Sequence, residues 1–219
     1  MTTAAERPSA RTVRPRPLRR AMSDAEKGER RADILAAAKK VFARKGYHAT
    51  TIAEIAKAAK LSYGSIYWYF DSKDALFHEL MESEGQALRR HVTEALTTTP
   101  AKGAPDAPFR AAVRATFEFF ESDRALVKLL FRDSYSLGTR FEKHLFGIFE
   151  RFIDDIEGIV RDAQERGLVV DAPPRMVAVS VAALVGQIAH RRVVTDDGLP
   201  AAAVADFVVS LLLNGLLAR

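Results

Sequence analysis

The sequence predicts an all-α protein of about nine helices, with a small N-terminal helical unit followed by a larger C-terminal helical bundle. Three observations predict it. Apolar residues recur at three- and four-residue spacing in most segments, the period of one helix face. No segment alternates convincingly at period two, as a half-buried strand would. The pattern Ser/Thr-x-x-Glu, in which a hydroxyl and a carboxylate cap a helix N-terminus reciprocally, occurs at Ser23–Glu26, Thr51–Glu54 and Thr139–Glu142.

In chain order, residues 1 to about 22 read as a disordered basic arm. Arg7, Arg11, Arg14, Arg16, Arg19 and Arg20 are interspersed with Pro8, Pro15 and Pro17, with almost nothing apolar to bury. A first helix follows from near Ser23 to Arg44, with Ile34, Leu35, Ala38, Val41 and Phe42 as its stripe. Lys39, Lys40, Arg44 and Lys45 lie off the stripe or at its end, where cations suit the helix dipole, and Gly46 ends it. Thr51 caps a second helix carrying Ile52, Ile55, Ala56 and Ala59. Lys60-Leu61-Ser62 breaks the run, and Ser62 caps a third helix over Tyr63–Phe70. Ile66 and Phe70, four apart, share a core face, so Tyr67 and Trp68 project elsewhere. A fourth helix, capped by Asp71 or Ser72, runs to about Leu96 with Leu76, Phe77, Leu80, Met81, Leu88 and Val92 on one face. It connects the first three helices to the rest, so any signal must pass along it.

Thr97–Pro108 reads as a loop. Phe109–Glu121 is aromatic on one side (Phe109, Phe117, Phe120), and Asp123 caps a helix from Arg124 to about Asp133. After a break at Ser134–Gly138, a long helix runs from Thr139 to about Arg166. Its stripe is Phe141, Leu145, Ile148, Phe149, Phe152, Ile156, Ile159, Val160 and Ala163, and Gly167 is its C-terminal signal. Pro173-Pro174 opens a helix to about Val194, and Pro200 opens the last, to about Leu217.

Two short capped helices joined by a tight turn, Thr51 to Phe70, form a helix-turn-helix. In that motif the first helix crosses the DNA backbone and the second lies in the major groove. Exposed aromatics beside small polar residues are unusual on a surface, but are expected where a helix meets phosphates and base edges.

The stretch resembles the DNA-binding motif of the TetR family of bacterial one-component regulators. It has Thr51, Ile55-Ala56, Leu61-Ser62, Gly64, Tyr67-Trp68-Tyr69-Phe70, Lys73 and Leu76, preceded by Gly46-Tyr47-His48. The match covers roughly residues 29 to 80. One departure stands out: the family usually has Gly in the turn where this chain has Lys60. A left-handed residue there costs Lys about 1 kcal/mol relative to Gly, which a phosphate contact or a differently shaped turn would offset.

The expected division is therefore the arm at 1–22, a DNA-binding domain at 23–76 with its motif at 51–70, and an effector-binding and dimerisation domain at 77–219. The expected DNA-binding residues are Thr50, Thr51, Lys60, Ser62, Tyr63, Gly64, Ser65, Tyr67, Trp68 and Lys73. Tyr63, Ser65 and the backbone of Gly64 would meet base edges, and Thr50, Thr51, Tyr67, Trp68 and Lys73 phosphates, which position without specifying. A cation in a first turn, as at Lys73, opposes the helix dipole and suggests a phosphate partner. The resemblance further implies an effector pocket between about Phe77 and Arg192. Phe117, Phe120, Tyr135, Phe149 and Phe152, with Gln187 and His190, are its candidates, although the two polar residues also fit structural roles. Such a pocket favours an apolar or aromatic ligand with one polar end, a fatty acyl compound or a hydrophobic drug.

Charge agrees with this division. Residues 1–80 hold sixteen Lys/Arg against nine Asp/Glu, whereas residues 81–219 hold seventeen against nineteen, so the basic surplus sits with the helix-turn-helix. The arm either touches DNA or is a dispensable leader. With no cysteine, disulfides and thiolate metal sites are excluded. The basic N-terminus is followed by no apolar signal-peptide core, and the run Met176–Ala189 is too short to span a bilayer, so a cytoplasmic protein without a membrane partner is expected. No phosphate loop, nucleophile elbow or His-Glu-x-x-His is present. His48, His78, His91, His144 and His190 are scattered singly, and Asp154-Asp155 and Asp196-Asp197 are adjacent pairs. No enzyme, metal or cofactor is expected.

The last two helices, about 173–194 and 200–217, are apolar beyond a single stripe, and Ala182, Ala183, Gly186 and Ala189 allow close helix approach. Either they are an ordinary core pair or a second copy covers them. A symmetric homodimer, which the resemblance also implies, would read a palindrome. The expected function is a homodimeric repressor released from a palindromic operator by a hydrophobic small molecule. An effector-independent DNA-binding protein and a helical carrier of apolar ligands are the alternatives.

Overall fold

The computed structural model describes residues 23–99, 104, 106–132, 139–169, 171–195 and 198–214, with backbone alone for 131, 132 and 139–145. Among the described residues there are nine helices and no strand: α1 (Asp24–Lys45), α2 (Ile52–Ala58), α3 (Tyr63–Ile66), α4 (Lys73–Thr98), α5 (Ala107–Ser122), α6 (Arg124–Arg132), α7 (Thr139–Glu165), α8 (Pro174–Val194) and α9 (Ala201–Asn214). The expected arm, Tyr135, the Asp196-Asp197 pair and the end of the last helix beyond 214 lie outside the described residues.

Capping sets most of the boundaries. At α1, Glu26 N donates to Ser23 Oγ at 3.2 Å while Glu26 Oε2 accepts from Ser23 N at 2.7 Å, the reciprocal pair that the sequence predicts. Ser72, rather than Asp71, caps α4 by accepting from Ala75 N at 3.0 Å. Gly167 adopts φ +67°, and Leu168 N reaches back to Ala163 O at 2.9 Å to close α7. Thr139 lies inside α7 rather than before it.

α3 is shorter than predicted. It ends at Ile66, and Tyr69 N and Phe70 N both return to Ile66 O at 2.9 and 3.0 Å, making a tight turn. That turn still buries Phe70 and Ile66 together, as the spacing requires.

Two cores form. The first joins Ile34, Phe42, Ile55 and Ile66 of α1–α3 to Leu76 and Phe77 of α4, and also to Leu126 and Leu129 of α6. The expected boundary at 76 therefore runs through a shared core. α4 is also not the sole connection, because α6 packs directly on α1. The second core gathers Phe117 of α5, Val127 of α6, Val181 and Val185 of α8, and Val208 and Val209 of α9.

α8 corrects one expectation. The whole helix has 21 residues and by length and composition is long and apolar enough to cross a bilayer, whereas the run Met176–Ala189 alone is too short. In the fold it buries Ala178, Val181, Val185 and Ala189 against its neighbours. Its opposite face, and that of α9, leave Met176 (65%), Val179 and Phe207 (60%) exposed.

Candidate nucleic-acid interface and effector pocket

The helix-turn-helix is held by side chains reading their own backbone. Thr51 caps α2: its Oγ1 accepts from Glu54 N at 3.3 Å, and Glu54 Oε2 accepts from Thr51 N at 3.0 Å. Lys45 pairs with the same carboxylate. That bond, followed by the Thr51 amide, takes the Glu54 pKa down to about 2.

The turn after α2 has both Schellman bonds: Leu61 N to Ala56 O at 2.9 Å and Lys60 N to Lys57 O at 3.2 Å. They place Lys60 at φ 57°, the left-handed conformation usually given to Gly. Of the two ways to accommodate Lys60, a reshaped turn is thus not the one used. Lys57 and Lys60 are exposed, without ion-pair partners among the described residues.

Ser62 caps α3 by accepting from Ser65 N at 3.2 Å, and the two hydroxyls lie 2.6 Å apart. Tyr63 and Tyr67, one turn apart, bring their hydroxyls to 2.9 Å with rings edge to face at 5.3 Å. That bond raises the Tyr67 phenol above its ordinary value. Tyr63 is 56% exposed and Trp68 87%, and the Gly64 α-carbon faces open space. Lys60, Ser62, Tyr63, Gly64, Tyr67 and Trp68 therefore come together on one accessible surface, Ser65 half-buried beside them and Thr51 at the cap of the preceding helix.

Two expected phosphate ligands face inward, for a clear reason. Thr50 is 1% exposed and donates its hydroxyl to Gly46 O at 2.7 Å. Lys73 donates to Tyr47 O at 2.9 Å and Thr50 O at 3.0 Å, with its ammonium 4.4 Å from the Tyr47 ring centroid. The first-turn cation thus answers backbone carbonyls of the α1–α2 corner, and no phosphate is needed to explain it. Tyr47 is the residue that reading by motif undervalues. It stacks on Phe42, meets Phe77 edge-on at 5.0 Å and donates to Asp74, burial first and that bond second raising its phenol pKa.

Away from this surface, α4, α5, α6, α7 and α8 line a half-open cavity of about 450 Å³. That is within the usual size of a small-molecule site. Phe120, Phe149, Phe152 and Gln187, four of the predicted residues, line it, beside Met81, Phe119, Leu126, Leu130 and Ile148. Phe117 does not: it is fully buried and reaches instead a second hollow of about 440 Å³ with Glu121 and Arg192. His190 is absent from the described lining of both. The difference in placement has one cause. Helical spacing places a residue on a face, but which faces leave a gap depends on how helices cross.

The charges of the large cavity are paired. Glu82 binds Arg151, Glu84 binds Lys39, Arg89 binds Asp155 at 2.8 Å, and Glu150 binds Arg175. Three neighbouring carboxylates raise the Arg175 pKa, Asp154 and Glu157 foremost. What such a wall offers a guest is apolar contact. Among the described residues, no group of three or more His, Asp or Glu side chains is arranged to hold a metal.

The family model described as "Bacterial regulatory proteins, tetR family" matches residues 34–80, and "Tetracyclin repressor-like, C-terminal domain" matches residues 102–216. The HTH-type transcriptional activator FasR of Mycolicibacterium smegmatis is 31% identical over 156 residues, which cover 71% of this chain and 68% of FasR. Among solved structures, the fatty acid degradation regulator FadR from Bacillus halodurans aligns with a TM-score of 0.77 at 21% identity, over 87% of this chain and 97% of that one. FadR from Bacillus subtilis, solved in complex with stearoyl-CoA, aligns with a TM-score of 0.75 at 21% identity, over 84% of this chain and 98% of that one. At such identity the two structures share the fold.

Proposed function

We propose that this chain, which belongs to the TetR family of bacterial regulatory proteins, is a homodimeric repressor released from a palindromic operator by a hydrophobic effector. That it is a DNA-binding transcriptional regulator and not an enzyme follows from the family. The finer reading is carried by one observation: an accessible recognition helix capped by Ser62 and an apolar cavity occur in the same chain.

In this reading Tyr63, Ser65 and the backbone of Gly64 meet base edges in the major groove. Thr51, Tyr67, Trp68 and Lys60 meet phosphates, and Lys57 joins them. Thr50 and Lys73 support that surface from behind. The exposed faces of α8 and α9, with Met176, Val179, Phe207 and Leu213, pack against their copies in a four-helix interface. An acyl thioester or similar apolar molecule occupies the large cavity. It releases DNA to the extent that it binds the non-matching arrangement of the heads more tightly.

Selection of genomic fragments by the purified protein, at stated salt near physiological, tests the DNA half. Recovery of one palindrome is expected, and recovery of bulk DNA without a motif overturns the sequence-specific reading. Adding stearoyl-CoA to the protein–operator complex tests the effector class, with loss of the complex expected. A second reading, transcriptional activation, is favoured by the similarity to FasR, a transcriptional activator. A reporter driven from the selected site separates the two by whether deletion of the regulator raises or lowers expression.

A further inference from the structure

Three elements meet at one ammonium. Lys39 of α1 donates from Nζ to Glu84 Oε1 of α4 at 2.7 Å, and also to Asp123 at the corner between α5 and α6. The three side chains are 19%, 15% and 24% exposed. Asp123 uses its other oxygen to cap α6, accepting from Leu126 N at 3.0 Å. Burial pushes the Lys39 ammonium down, but the two carboxylates outweigh it and hold its pKa above the ordinary lysine value.

The position of the cluster is what gives it meaning. Glu84 is part of the wall of the large cavity. Its neighbour Gly85 approaches α7 so closely that an added methyl would stand 3.3 Å from Ile148 Cγ2. Met81 and Leu126 belong both to that wall and to the core beneath the recognition helix. Among the described residues, Lys39 makes the one ion pair between α1–α3 and a cavity-lining side chain. The other ion pair to α4, Arg31 to Glu79, uses two guanidinium donors, has the third on Tyr69 O and includes no lining residue. Charge-assisted hydrogen bonds are short-ranged and directional, so a small displacement of Glu84 changes this contact steeply.

We propose that Lys39 is a positioning residue that couples the cavity to the recognition helix. The Lys39–Glu84–Asp123 cluster holds the head at one angle while the cavity is empty, and a guest that displaces Glu84 shifts that angle. This rests on reading the cavity as the effector site. Coupling of this kind needs an element whose arrangement both sites bias, and here that element is α1 held between α4 and α6.

The test compares operator affinity with the cavity empty and filled. Two fillings are used: stearoyl-CoA, and the substitution Ala182→Phe, on the α8 wall away from the cluster, with the dimer confirmed by mass because Ala182 also belongs to the small-residue stripe of α8. They are applied to the wild-type chain, to Lys39→Arg, and to the neutral triple variant Lys39→Met/Glu84→Gln/Asp123→Asn, with thermal midpoints measured for each. Filling is expected to weaken the wild-type and Lys39→Arg complexes about tenfold, and the triple variant less than twofold. If the triple variant fails to fold, Glu84→Gln alone, which keeps the Asp123 pair, is expected to show a reduced response. A response equal to wild type in the neutralised variant, or a wild-type affinity indifferent to both fillings, overturns the proposal. If Ala182→Phe acts and stearoyl-CoA does not, the acyl-thioester reading fails while the coupling stands.

Discussion

Phe42 and Phe149 occupy comparable places in two halves of the molecule, on helices of 22 and 27 residues, and meet different fates. Phe42 is fully buried, stacked on Tyr47 and met edge-on by Phe77, whereas Phe149 is 41% exposed at the wall of a cavity. The head closes around Phe42, Tyr47, Phe70 and Phe77, and turns outward only the aromatics of its recognition surface, Tyr63, Tyr67 and Trp68. The regulatory half leaves apolar surface unfilled, inside as a cavity and outside along α8 and α9. The difference teaches that the two halves pack differently: one is closed and pre-organised, the other leaves space between its helices and apolar surface outside them.

The comparison breaks first at the aromatics. Phe42→Ala is expected to destabilise by about 3–5 kcal/mol, since it empties a packed site, whereas Phe149→Ala should cost under about 1 kcal/mol because it only widens existing space. Chemical denaturation measures both, and equal losses would mean that the cavity wall is as tightly packed as the head. Next comes Tyr63→Ala. It should leave the thermal midpoint in place while weakening operator binding by about 1–3 kcal/mol, the scale of one base contact; unchanged affinity in a mobility-shift titration would remove Tyr63 from the interface.

Lys60→Gly sharpens the comparison by separating stability from binding. Relief of the left-handed residue should stabilise by about 1 kcal/mol, while loss of the exposed ammonium weakens DNA binding and lowers its salt dependence. A variant that gains stability and keeps full affinity would show that Lys60 touches no phosphate. Smallest is a pH effect on the head. The Glu54 pKa is depressed in the folded state to about 2, so its contribution is fully present above about 4.5 and is lost as pH falls towards 2. Thermal melts between pH 5 and 2 should flatten in Glu54→Gln, and identical profiles would show that the Lys45–Glu54–Thr51 set does not support α2.

Much of the head was legible because its signals are local. Capping boxes at Ser23 and Thr51 and the cap at Ser62 are each written within a few residues, and each appears where predicted, whereas of the two outcomes open at Lys60 only the fold selects the left-handed turn. The inward turn of Thr50 and Lys73 was not legible, because it depends on carbonyls of Gly46 and Tyr47 brought close only by folding. The cavity was half legible. Phe149, Phe152 and Gln187 lie where their helix faces suggest, but Phe117 and His190 do not, since the gap is set by helix crossings that periodicity does not encode. Lys39 could be seen only as a cation off the apolar stripe. Its partners stand 45 and 84 residues away.

The core shared by α1, α4 and α6 bears on how such chains diversify. A head severed at residue 76 would strip Leu126 and Leu129 from its own interior. Recombination that grafts a new sensing half onto this head must therefore bring an α6 whose face fits α1, as well as a helix that continues α4. The transferable module is discontinuous in sequence. It comprises the first three helices, the start of the fourth and a short helix some fifty residues later.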